Sequence, residues 1–90
     1  MSLKKEVLGK VPVLLQEEPH FHALLDHIKH HNIENKEHLR DFLEKEIAIV
    51  EKWLEENKKS GVTTVKSVRD KVLHLDVLKK CFKITQEFIL

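Results

Sequence analysis

The stretch NKEHLRDFLEKEIAIVEKWLEEN, residues 35–57, decides the fold class. Leu39, Phe42, Leu43, Ile47, Val50, Trp53 and Leu54 recur at intervals of three and four, the period of a helix with one apolar side. The opposite face carries Arg40, Asp41, Glu44, Lys45, Glu51, Lys52, Glu55 and Glu56. It offers the i,i+4 pairs Arg40 with Glu44, Asp41 with Lys45 and Lys52 with Glu56, each contributing a few tenths of a kcal/mol. Asn35 stands where an N-cap is needed, so a helix is predicted over about residues 36–58. One residue breaks the pattern. At roughly 100° per residue Glu46 falls inside the apolar stripe between Phe42 and Val50, which predicts a carboxylate at the edge of a groove or one that snorkels past the core.

Upstream, Pro19 holds the favoured first-turn position behind Glu17 and Glu18, and Phe21, Leu24, Leu25 and Ile28 give a helical stripe that runs to about His31. A first segment, about residues 3–15, places Val7, Leu8, Val11 and Leu14 or Leu15 on one side, while Gly9 and Pro12 make it short or kinked. Downstream, Ser60 and Gly61 punctuate the chain, and β-branched alternation is confined to residues 62–65. The last third reads in two ways. As one helix, Val65, Val68, Val72, Leu75 and Phe82 keep a 3,4 spacing, but Lys79 and Gln86 fall on the same seam. If Asp76 caps a new helix, Leu78, Cys81, Phe82, Thr85, Phe88 and Ile89 form a stripe of their own, and a kink or break near Leu75 and Asp76 is the expectation. The fold class is therefore all-α, a small bundle of four or five short helices in a single domain over residues 1–90.

Composition narrows the class further. The chain has 90 residues, 41% hydrophobic and 34% charged, too apolar for a disordered tail and without an apolar run approaching the ~18 residues of a membrane span. A core in so short a chain is thin. Cys81 is the single cysteine, which leaves no internal disulfide and no cysteine-based zinc cluster and fits a reducing compartment. The opening MSLKKEVLGKVPVLL has lysines before an apolar patch, but Gly9, Lys10 and Pro12 interrupt it and no small-residue cleavage site follows. A cytoplasmic protein without a targeting signal or membrane partner is expected.

Six of the seven histidines fall in PHFHALLDHIKHHNIENKEH, residues 19–38. His27 and His31 are i,i+4 neighbours with His20 above them, and Asp26 makes a second ladder with His22 or His30. Zinc takes about four ligands, and such a pair supplies two; there is no glutamate in the HExxH position and no CxxC. No cofactor is expected, and His27 and His31 are candidates for adventitious metal only. Clustered imidazoles would charge together as pH falls towards about 6 and repel one another. Charge is also unevenly spread: residues 34–56 hold four basic and eight acidic side chains, whereas residues 58–83 hold eight basic and two acidic. The basic third could track the phosphates of an RNA, or an acidic and a basic helix could neighbour each other, in keeping with a net charge of +1.

Arg69 to His74 reads RDKVLH, an arginine, a polar residue and a histidine five places on. This resembles the motif of the HEPN superfamily of helical ribonucleases, over these six residues. The resemblance implies an all-α, usually dimeric protein in which Arg69, Asp70 and His74 serve metal-independent RNA cleavage, the histidine in acid/base transfer and the arginine steadying the phosphate. In an uninterrupted helix Arg69 and His74 would stand about 140° apart. No other enzyme pattern is present. The serines lack a nucleophile elbow, two glycines cannot form a phosphate loop, and Cys81 and Trp53 fall on core stripes. The sequence thus points to a protein-interaction or regulatory module that self-associates, with the metal-independent ribonuclease, or an inactive relative, as the alternative.

Overall fold

The computed structural model describes residues 3–60 and 65–90, except the side chains of residues 58–60 and 65. Five helices follow one another: α1 (Leu3–Lys10), α2 (Val13–Gln16), α3 (Pro19–His30), α4 (Lys36–Ser60) and α5 (Val65–Ile84), the last running into a single π-helical turn, Thr85–Ile89. The fold is all-α, with no strand among the described residues. Gly61 and most of the β-branched run at 62–65 lie outside the described residues. No helix is long and apolar enough to cross a membrane among the described residues.

Pro12 divides the first segment. Its ψ of 144° is extended, so α1 closes with the bond from the Val11 N–H to the Val7 carbonyl and α2 starts afresh. Gln16 staples the joint, its Nε2 donating to the carbonyls of Leu8 at 3.0 Å and Val11 at 2.9 Å. Leu3, Val7 and Val11 are buried as one face of this segment. Leu8, expected on that face, is exposed within α1, about 100° around the helix from Val7, and of the alternatives Leu14 and Leu15 the turn at Pro12 leaves Leu15 half-buried and Leu14 exposed.

Helix α3 carries Pro19 in its first turn and buries Phe21, Leu24 and Ile28. It ends in a left-handed residue, Asn32 (φ 51°), and the Ile33 N–H returns to the Ile28 carbonyl at 3.2 Å. That is the 6→1 bond of a Schellman turn, with Ile33 and Ile28 both in the core beneath it. Asparagine tolerates this backbone better than other residues with a Cβ. Two residues later Asn35 caps α4, its Oδ1 accepting the His38 N–H at 2.7 Å. The α4 stripe lies as its period requires, with Leu39, Leu43 and Val50 buried and Phe42, Ile47, Trp53 and Leu54 half-buried. Arg40 pairs with its neighbour Asp41 at 3.3 Å, not with Glu44 as its spacing predicted.

The expected break near Leu75 and Asp76 is absent: α5 runs unbroken through both. Asp76 is exposed and pairs with Lys80 at 3.1 Å, an i,i+4 contact inside the helix, instead of capping a new one. The stripe shifts because the neighbours change. Towards its start α5 lies beside α4, with Val68 and Leu75 half-buried and Val72 and Leu73 exposed. From Leu78 onward α1 and α3 also cover α5 and the π turn, burying Leu78, Cys81, Ile84, Thr85 and Ile89. Thr85 Oγ1 donates to the Cys81 carbonyl at 2.9 Å, and Lys10 Nζ donates to the Ile89 carbonyl at 3.1 Å, tying α1 to the π turn.

Helix α4 has 25 residues and α3 has 12, lengths of about 37 Å and about 18 Å at 1.5 Å per residue. The end of α4 and the start of α5 therefore outrun α3 as an antiparallel two-helix arm. On the arm the Lys71 ammonium sits 5.4 Å from the centre of the half-buried Trp53 ring, and nearer the core Glu51 pairs with Lys79 at 3.7 Å. The molecule measures 46 × 24 × 21 Å, and its radius of gyration of 14.5 Å exceeds the roughly 12 Å expected of a spherical domain this long.

Two substitutions test these local assignments. Asn35→Ala removes the α4 cap and is expected to cost about 1 kcal/mol, read as a lower urea midpoint at unchanged m-value. A Cβ on Gly9 meets nothing within 4 Å, so Gly9→Ala is expected to stabilise by about 0.5 kcal/mol by restricting the unfolded chain, seen as a rise in melting temperature.

Candidate functional site

The last turn of α3 and its C-cap residue bring two imidazoles against α4. His27 and His31 stack with ring centres 6.1 Å apart, and both meet Phe42, at 5.8 Å and 4.4 Å respectively. His27 is half-buried and His31 exposed. One turn along α4 from Phe42, the half-buried Glu46 stands close enough to His27 to bear on its charge. From α5, so does the half-buried His74. The seam where α3, α4 and α5 meet thus gathers three imidazoles and a carboxylate from three elements.

Burial holds His27 below the usual histidine range, since a charged ring there loses water. Repulsion from His31 and His74 acts in the same direction, while Glu46 and Asp26 pull the other way. The balance favours neutral His27. A proton that arrives at His27 therefore meets both burial and neighbouring charge, the elementary requirement of a pH response.

The predicted residues separate into those the fold brings together and those it does not. Glu46, set into the apolar stripe by its spacing, is half-buried and bears on His27. Arg69 and Asp70 are exposed, His74 faces inward to His27, and the unbroken α5 sets Arg69 about 140° around the helix from His74. His27 and His31 are neighbours, yet among the described residues no three histidine, cysteine or acidic side chains are disposed to hold a metal ion. His22, His30 and His38 are exposed on polar faces. The meeting of His74 with the α3 histidines has no signature in local spacing, because it is made by packing between distant segments. Its one advance sign was Glu46, a charge set into an apolar stripe.

At the other end of α3, a cleft of about 370 Å³ opens beside the π turn, with Leu15, Ile84 and Phe88 as apolar walls and Lys80 and Lys83 among its polar groups. His20 lines it, and the ring Nδ1 is buried without a hydrogen-bond partner. Beneath His20 the Cys81 thiol is fully enclosed, donating to the His20 carbonyl at 3.1 Å, and burial pushes its pKa up to about 12. A thiol so held is a core group and no nucleophile.

No family model, curated protein or solved structure matches the chain, so the reading of this seam rests on its own geometry.

Cys81 supplies a direct check on the packing. In the native protein at neutral pH it is expected to resist iodoacetamide and maleimide, reacting only as fast as the bundle opens, with prompt modification in denaturant; fast native labelling would show that α3 does not seat on α5 as described.

Proposed function

We propose that the chain is a protein-interaction module that self-associates through the arm formed by α4 and α5. The observation that carries this reading is surface area. The chain exposes 6381 Å², against about 5,500 Å² expected of a monomer of its mass. The surplus of about 900 Å² is close to the roughly 800 Å² that each partner contributes to a standard interface. Apolar side chains on the arm contribute to it: Ile49 is 61% exposed, Val72 50% and Leu73 59%.

A second copy is the partner that fits. Exposed acids towards the end of α4, Glu51 and Glu56, and exposed bases towards the start of α5, Lys66 and Arg69, make the arm self-complementary. Two arms related by a two-fold axis would lay the acidic helix of one copy against the basic helix of the other. The ribonuclease alternative asks instead that Arg69 and His74 serve one scissile phosphate, and the geometry that favours it is the company His74 keeps with two further imidazoles.

Sedimentation equilibrium at micromolar concentration is expected to return about twice 10.6 kDa, with an unfolding midpoint that rises with concentration. Ile49→Asp combined with Leu73→Asp should yield a folded monomer, since both side chains are exposed. A single monomeric species for the wild type would overturn the proposal. RNA cleavage that persists in excess chelator and disappears in both His74→Ala and Arg69→Ala would replace it with the ribonuclease.

A further inference from the structure

We propose that His27, His31 and His74 form a proton-operated latch, which seats the C-terminal end of α3 on α4 and α5 at neutral pH and releases it on acidification. The argument starts from which charges face the latch. On α3 itself these are Asp26 and His31; α4 brings Glu46 and α5 brings His74. Asp26 is exposed and water screens it, so among the charges that bear on His27 the half-buried one of opposite sign is Glu46.

A proton on His27 is opposed. It must be carried in a half-buried ring that is stacked 6.1 Å from His31, where burial strips the charge of water and His31 and His74 repel it against the pull of Glu46 and Asp26. The favourable end of the α3 dipole, which welcomes cations at its C-terminus, acts on His27 and His31 alike but falls off within a turn and does not reach His74 on another helix.

The direction of the pH effect follows from linkage. His27 binds its proton less readily folded than unfolded, so the unfolded or released state takes up more protons as pH falls. Stability is therefore fully present above the unfolded histidine value of about 6.5 and is lost as pH falls below it towards the depressed folded value. The end of α3 is the element that yields. It carries the two rings on Phe42 above the buried Ile28 and Ile33, so the charge arises at this end, whereas its start holds the buried Phe21 and Leu24 and the Cys81 contact.

Hydrogen exchange of the full chain between pH 7.5 and 5.5, corrected for the intrinsic pH dependence of exchange, reads the latch directly. Amides of residues 25–31 are expected to gain about tenfold over those of residues 39–50. His27→Gln should reduce this gain below about twofold, and Glu46→Gln, which removes the countercharge, should enlarge it. His74→Gln is the second arm should His27→Gln fail to fold, with the same expected reduction. Uniform acceleration in every helix, or an undiminished α3 response in a folded variant lacking His27 or His74, would overturn the proposal.

Discussion

Helices α1, α3 and α4 share one partner, the C-terminal half of α5 with its π turn. Leu78, Cys81 and Thr85 are fully buried there, and Ile89 nearly so. A chain of 90 residues has apolar area for one such centre and not two. This constraint explains the rest of the architecture. Elements that reach the centre are held by it, and the stretch of α4 and α5 that outruns it has only each other. The arm is thus a direct result of unequal helix lengths, and its exposed Ile49, Val72 and Leu73 are what a two-helix layer leaves uncovered.

The polar residues follow the same geography. Where the core is complete, polar groups are closed off within it: Thr85 donates to the Cys81 carbonyl, and the Cys81 thiol to that of His20. Where α3 runs out, Glu46, His27 and His74 occupy the margin between core and water. Charge there is neither excluded nor fully solvated, the condition in which a proton's arrival changes packing. The histidine-rich helix and the histidine of the RDKVLH motif, separate features of the sequence, meet at this margin.

Much of the fold was legible because it is local. The α4 stripe, the Asn35 cap, Pro19 at the head of α3 and the joint at Pro12 each follow from a few adjacent residues, and each lies where its pattern puts it. The break at Leu75 and Asp76 misled because a change of stripe was read as a change of helix. Inside α5 the backbone is constant and the neighbours differ, and periodicity records neighbours. Leu8 erred for a simpler reason, since it lies one residue past Val7 and outside the face that Leu3, Val7 and Val11 share, and the choice between Leu14 and Leu15 was left to the proline joint. Of the seam, the residues were visible but their convergence was not. Spacing relates side chains along one helix, while His27, Glu46 and His74 are related by how three helices cross.

The lysine that joins α1 to the end of the chain bears on how the protein assembles. Lys10 and Ile89 are 79 residues apart, and the contact between α1 and the π turn closes nearly the whole chain into a loop. Helices α4 and α5, by contrast, are separated by four residues and can zip together from their near ends at small entropic cost. Order of assembly is thereby written into chain separation: the hairpin forms early, α3 folds back onto it through the Asn32 turn, and α1 arrives last.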